Sequence, residues 1–428
     1  MADFCITDAR TLDGRSVDVV IRDGVVARVA DAGEADPAAF DADQRFDADG
    51  RLVTPSLTEI HTHLDASLTA GLHRWNESGT VVESREIWDE MRDSLTKAGI
   101  KERARKTVDW FVANGVTRIR THVGVANPTA VEALVELREE LADLVDVQLV
   151  AFVYDFVGDD ESEALLRDAI DRGADVVGGM PHGEPTRERG VEHVETVVDL
   201  ADRNDLPLDL HIDETDDPNS RYTEVLAAEA MDRGIGDRTN ASHATAMHSY
   251  SDQYADDLCR LLANSGVSVV TNPPVNAVLQ GRFDGYPRRR GLTRVDELLD
   301  HGVTVGVGQD DVVDTAYAYG DGDPLDALAV LMRFAHMNGR EDVARLWSLL
   351  VDGNAAIYGL DESSYGLREG AEGSVVVYDA PDGYNAFRRR APRSLVLKDG
   401  VPVARTERTT TVGVGDDDHV VDFDCRFE

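Results

Sequence analysis

The chain has 428 residues, 42% of them hydrophobic, which suits one large core with a small appendage. It carries 82 acidic against 43 basic residues, a formal net charge of -39. That balance argues against a nucleic-acid partner, which needs a basic footprint, and no run approaches the roughly 20 apolar residues that span a bilayer. Only four lysines occur, Lys97, Lys101, Lys106 and Lys398; every other basic residue is arginine. The acids are spread along the whole chain, as expected of a heavily hydrated, solubilising surface. They also suggest adaptation to high salt, where the Debye length shrinks to about 3 Å at 1 M. A melting series in KCl checks this, and full stability in dilute buffer contradicts it. The runs Arg288-Arg289-Arg290 and Arg388-Arg389-Arg390 are expected to pair locally. The start, MADFCITDAR, has no basic flank or apolar stretch of a signal peptide, so a soluble cytoplasmic protein is expected. Cys5, Cys259 and Cys425 form no CxxC and are read as buried or free thiols of a reducing compartment.

In chain order, SVDVVIRDGVVARVA (16-30) is two short runs around Asp-Gly, a hairpin signal. Eight apolar runs follow, at 52-65, 116-125, 147-154, 174-182, 206-214, 238-245, 267-275 and 303-311. Between them, segments such as VEALVELREELADLV (131-145) and EHVETVVDLADRND (192-205) carry apolar residues at helical spacing. Eight alternations predict an α/β fold of parallel β/α units closed into a (β/α)8 TIM barrel. A doubly wound open sheet is the alternative, weakened by the lack of a GxGxxG after the first strand. Near the end, SVVVYDA and SLVLKDGVPVAR again place Asp-Gly between β runs, so one small sheet built from both termini is expected.

Polar residues that can bind metal fall at the C-terminal ends of these runs, the face that carries active sites in such barrels. The first run ends in His61-Thr62-His63, whose alternate side chains share one face of a strand. The fifth ends in His211-Ile212-Asp213-Glu214, the sixth in Ser242-His243 and the eighth in Asp310-Asp311. Each has a plain structural reading: a lone HxH is weak, His243 alone suits a hydrogen-bonded core, and Asp310-Asp311 alone suits a helix cap. Their shared position at one end of four predicted strands points to a nitrogen/oxygen metal site suited to Zn²⁺ or Fe²⁺. No lysine lies between Lys106 and Lys398, so a carboxylated lysine cannot bridge two metals and a mononuclear centre is expected. Glu184 is the one nearby candidate to bridge a second metal. A metal lowers the pKa of bound water towards about 7. Glu214, three residues beyond His211, then suits a proton shuttle, Asp310 a second proton acceptor, and His243 a polarising group.

At these residues the chain resembles the amidohydrolase superfamily and, within it, bacterial-type cytosine deaminases. The resemblance is strongest at His61-Thr62-His63-Leu64-Asp65, Trp75-Asn76-Glu77-Ser78-Gly79-Thr80, GADVVGGMPHGEPTRERGVE (173-192), HIDETDDPNSR (211-221), ASHATAMHSY (241-250), NPPVNAVLQGRFDGYPRRRG (272-291) and GQDDVVD (308-314). It implies a barrel over 56-364, a β-sandwich composed of 1-55 and 365-428, one Fe²⁺ or Zn²⁺ ion and a homo-oligomer. It implies that His61, His63, His211 and Asp310 bind the metal, Glu214 shuttles protons, His243 polarises, and Asp311 lies near the substrate's amino group. Trp75, Tyr154, Gln280 and Tyr317 are the further candidates for substrate contact. The departures fall in the base-reading shell: Tyr154 stands where the family usually has Gln, Ala316 where it has Trp, Gln309 where it has His, and Gly183 where an aromatic is common.

The expected reaction is hydrolytic deamination of a small nitrogen heterocycle, with cytosine leading and isocytosine, creatinine-like rings or aminotriazines as alternatives. A cyclic-amide or substituted-amine hydrolase is the second reading; ring opening or alkylamine release without ammonia would reveal it. A catalytically silent barrel should have lost its ligand set, and a polynucleotide deaminase should show PCxxC.

Overall fold

All eight apolar runs become strands of one parallel sheet, buried on both sides, as valine-rich runs without alternation require. The computed structural model describes residues 2–154, 160–361, 363–414 and 418–425. The strands are β1 (Leu57–Thr62), β2 (Val116–Gly124), β3 (Asp146–Phe152), β4 (Val176–Gly179), β5 (Leu208–Ile212), β6 (Thr239–His243), β7 (Ser268–Thr271) and β8 (Val305–Val307). Each pairs with the next in order. A parallel bridge between Thr62 and Asp310 joins the two ends, with the Asp310 N–H donating to the His61 carbonyl at 2.7 Å. The sheet thus closes into a (β/α)8 barrel, as the eight alternations predicted.

Helices between the strands start where a side chain satisfies the first free N–H groups. Thr96 caps Lys97–Ala113, Asn127 caps Pro128–Glu140, Thr186 caps Arg187–Arg203 and Ser251 caps Asp252–Ser265. The helical pattern read to Val145 stops at Glu140, because Leu141–Val145 form a turn whose Leu141 and Val145 stay in the core. Among the described residues no helix is long and apolar enough to cross a membrane.

The terminal strands form two four-stranded sheets rather than one. The first holds Phe4–Arg10, Ser16–Arg22, Val25–Asp31 and Arg45–Asp47; the second holds Val53–Pro55 beside Val375–Tyr378, Arg393–Lys398 and Val401–Arg405. Both Asp-Gly pairs sit in tight turns with positive φ, 49° and 78° at Asp23-Gly24 and 50° and 76° at Asp399-Gly400. Phe4, Ile6, Val19 and Ile21 pack against Val375, Val377, Leu395 and Leu397, giving a sandwich built from both termini. Residues 415–417 and 426–428 of the expected terminal segment lie outside the described residues. Arg289 pairs with Asp284 at 2.6 Å, Arg389 with Asp424 and Arg390 with Asp326, so part of each arginine run is paired locally. Cys5 and Cys259 are buried, Cys425 is exposed, and all three are free.

Candidate active site

His61 and His63 leave the end of β1 on one face, and the closing bridge of the barrel sets Asp310 opposite them. His61 Nε2 and His63 Nε2 lie 3.4 and 3.3 Å from Asp310 Oδ1. His211, in β5, approaches from across the barrel, its Nε2 3.1 Å from His63 Nε2. Ligand atoms of His61, His211, His243 and Asp310 lie within 4.8 Å of one another, and all four residues are buried. Among the described residues His61 Nε2 and His211 Nδ1 have no hydrogen-bond partner. Buried ring nitrogens are normally paired, so His61 Nε2, unpaired and 3.4 Å from the Asp310 carboxylate, fits a cation. Distance alone brings His243 as near as His63, but the side-chain amides of Asn272 and Asn276 surround the His243 ring nitrogens at 3.1 to 3.4 Å.

A layer beneath orients these imidazoles. His61 Nδ1 lies 3.1 Å from Ser242 Oγ, which donates to Asp209 Oδ1 at 2.6 Å, while Arg120 Nη1 donates to Asp209 Oδ2 at 3.1 Å. Burial would raise the Asp209 carboxyl, but His122 and Arg120 outweigh it and hold it below the ordinary carboxylate value. Glu59 Oε1 accepts from the N–H groups of His61 and Gln309, both at 3.0 Å, and so ties β1 to the end of β8. Burial pushes the Glu59 carboxyl up to about 8. At Gly308 a Cβ would stand 2.8 Å from His61 Cβ and 2.5 Å from Asn272 Oδ1, so only glycine passes beside the ligand.

The acid–base groups stand above the imidazoles. Asp213 has φ 49° and accepts from Ser220 Oγ and the Tyr222 and Thr223 N–H groups, anchoring the next helix and turning Glu214 to the mouth. Glu214 Oε1 lies 3.5 Å from His243 Nδ1 and accepts from Asn276 Nδ2 at 3.2 Å. Burial raises the Glu214 carboxyl. Burial also acts on Asp310, but His243, His61 and His63 outweigh it and keep that carboxyl well below its usual value. Asp311 moves the other way, raised by burial and by the carboxylates of Asp314 and Asp310. His243 and Asp310 both have left-handed backbone, φ 72° and 65°. Such conformations cost about 1–3 kcal/mol each and cluster at functional sites.

A cavity of about 110 Å³ opens over these groups. Its walls include His63, His211, Glu214, Asp310, Asp311, Tyr154 and Ala316. Trp75, Gln280 and Tyr317 are not part of that lining: Trp75 is 46% exposed, Gln280 packs under Gly291, and the Tyr317 ring lies 5.7 Å from that of Tyr319. The Gln309 side chain turns away and donates to the Asp323 carbonyl at 2.9 Å. Glu184 lies 2.8 Å from His193 Nδ1.

Sequence reasoning missed His122, at the end of β2, although its place in VTRIRTHVGV carried the same signal as His61. Its ring stands 4.0 Å from that of His61, and among the described residues neither of its nitrogens has a hydrogen-bond partner. It also missed the helix Val81–Met91, which covers the cavity and lends it Val81, Ser84, Arg85 and Trp88 from one face.

Residues 100–404 match the amidohydrolase family, and the chain belongs to that family of metal-dependent C–N hydrolases. The His/Asp cluster described above can hold such a metal. The chain is similar to 5-methylcytosine deaminase from Klebsiella pneumoniae, solved with 5-fluorocytosine, at 39% identity and a TM-score of 0.90 over 95% of this chain and 98% of that one. It is 29% identical to N-isopropylammelide isopropyl amidohydrolase of Pseudomonas sp. strain ADP over 375 residues, 85% of this chain and 88% of the relative. It is 28% identical to pterin deaminase of Rhizobium rhizogenes over 399 residues, 91% and 88% of the two chains.

Proposed function

We propose that this protein hydrolytically deaminates a single-ring aminated heterocycle of the cytosine type, releasing ammonia and leaving an oxo group on the ring. The observation that carries the reading is the approach of Glu214, His243 and Asp310 to the buried imidazoles at one mouth of the barrel. Likeness to 5-methylcytosine deaminase supports the ring type. So does the size of the cavity, small beside the roughly 300–1,000 Å³ of drug-sized pockets.

His61, His63, His211 and Asp310 would hold one divalent cation, Fe²⁺ or Zn²⁺ by its nitrogen/oxygen donors. When bound, such a cation lowers the pKa of water towards about 7 and acts as a Lewis acid. Water adds to the amino-bearing carbon, and the C–N bond then breaks. Glu214 takes a proton from the water and delivers it to the adjacent ring nitrogen. Its burial suits this, because a carboxyl raised from its usual value holds a proton closer to neutral pH. His243, fixed by Asn272 and Asn276, hydrogen-bonds the attacking oxygen. Asp310 takes the second proton in passing and gives it to the departing ammonia. Asp311, in the same wall, faces the amino end of the ring.

The test is an ammonia-release screen of cytosine, 5-methylcytosine, isocytosine, creatinine and aminotriazines in high salt, with metal quantified. Stoichiometric ammonia from a cytosine-type ring is expected. Alkylamine release without ammonia would replace deamination by hydrolysis of the kind that the name of the Pseudomonas relative describes, and ring opening without ammonia would replace it by cyclic-amide hydrolysis.

A further inference from the structure

Acidic residues outnumber basic ones 82 to 43, so a guanidinium beside the cavity has carboxylates at hand. Arg92, directly after the helix Val81–Met91 that lids the cavity, pairs with Asp89 at 2.9 Å, and Arg120 in the barrel pairs with Asp209 at 3.1 Å. Arg85 does not follow them. Among the described residues no carboxylate reaches ion-pair distance from it, although Asp89, Asp311 and Asp314 line the same cavity. Among the described residues its one hydrogen bond runs from Nη2 to Met180 Sδ at 3.1 Å. A thioether is a weak acceptor, and a guanidinium carries five N–H donors in a planar fork.

The fork stands on a fixed base. Ser84 Oγ lies 2.9 Å from Thr315 Oγ1, and Ile87, Trp88 and Met91 pack with Ala66, so the helix Val81–Met91 is pinned over the mouth. Arg85 lines the cavity together with Glu214 and Tyr154, and its charge acts on both. A half-buried cation with unused donors, facing the cavity that holds the acid–base groups, is built for an oxygen acceptor on the ligand.

We propose that Arg85 is a specificity-determining residue that binds a lactam oxygen of the substrate, a ring C=O conjugated to a ring nitrogen, and so restricts the site to oxo-bearing aminated rings. The inference rests on the deaminase reading and deepens it. The lactam oxygen has two lone pairs, and two N–H groups of a guanidinium fork can donate to it while the ring nitrogen next to the amino-bearing carbon stays free for Glu214. The amino group then points to Glu214 and Asp310, with the oxo group turned to the lid helix. A ring lacking the oxygen leaves the guanidinium unpaired, and desolvating an unpaired cation is costly.

The test uses cytosine and 4-aminopyrimidine, which differ by the ring oxo group. Ammonia release is measured for the metal-loaded wild type, Arg85→Gln and Arg85→Lys, and calorimetric binding of both rings is measured with Glu214→Gln added to block turnover. With Arg85→Gln, cytosine should lose about 10- to 100-fold in kcat/KM and affinity, the scale of one charge-assisted hydrogen bond, while 4-aminopyrimidine barely changes. Arg85→Lys, which keeps the charge without the fork, should recover part of the loss. Equal losses on both rings, no loss on cytosine, or failure of the wild-type Arg85 background to bind either ring overturns the proposal. The two readings separate cleanly. Arg85-dependent cytosine binding without ammonia from the wild type sinks deamination alone, whereas ammonia release with equal losses on both rings sinks only the role of Arg85.

Discussion

The floor of the cavity and its outer wall are made in different ways. The floor is strand: His61, His211 and His243 lie on β1, β5 and β6, where parallel register sets His211 beside Ser242 and the left-handed backbone of His243 brings its ring within 5.0 Å of that of His211. His63 and Asp310 follow directly from strand ends that the closing bridge holds together. The wall is helix and loop: Arg85 and Trp88 from Val81–Met91, Tyr154 beyond β3, and Ala316 beyond Asp310. Register leaves the floor little freedom, whereas the wall can change with the segments that carry it. Bond-breaking should therefore reside in the floor and ring choice in the wall, and substitutions in each should move different observables.

The largest expected effect is in the floor. Asp310→Ala removes a carboxylate that faces His61 and His63 at 3.4 and 3.3 Å, and should empty the site of metal and abolish turnover. Full occupancy by metal analysis would remove Asp310 from the ligand set. Next comes Glu214→Gln, which keeps the shape and removes the titratable oxygen. It should retain metal and lose about 10²- to 10⁴-fold in kcat, the range of general acid–base catalysis. An unchanged kcat would strip Glu214 of its role. Ser242→Ala touches only the layer beneath, breaking the path from His61 Nδ1 through Ser242 to Asp209. Metal affinity should fall about 10- to 100-fold, as for other partners that orient ligands. If competition against a chelator shows no change, His61 is oriented by something else.

The same contrast explains what was legible in the sequence. Buried parallel strands read as continuous apolar runs, so all eight were visible, and polar residues at their ends stood out against them. His122 carries that signal too, at the end of the run 116-125. The second terminal sheet was hidden because Val53–Pro55 is three residues long and continues directly towards β1. The wall was harder. The helix Val81–Met91 has the amphipathic pattern of any surface helix, and nothing local says that one of its faces looks into a cavity. Trp75 belongs to a motif of the family resemblance and Tyr317 adjoins a position where the family has Trp, but on a loop neither sets the direction of a side chain. The Trp75 ring packs near Gly71, and the Tyr317 N–H donates to Asp314 Oδ1.

The smallest effect belongs to the wall and is the sharpest test of whether the two regions are separable. Ala316 lines the cavity, and Trp88 already supplies an indole to it from the lid helix. Ala316→Val adds bulk to the wall without touching a ligand or an acid–base group. A change on the scale of a methylene in a snug pocket is worth about 10-fold or somewhat more in discrimination. KM for the best ring should rise by about that much, while metal content and the melting temperature stay put. A fall in metal content with KM unchanged would mean that the segment beyond Asp310 transmits wall changes to the floor. The division between them would then fail at Asp310, the one residue that faces the imidazoles and lines the cavity while leading directly into that segment.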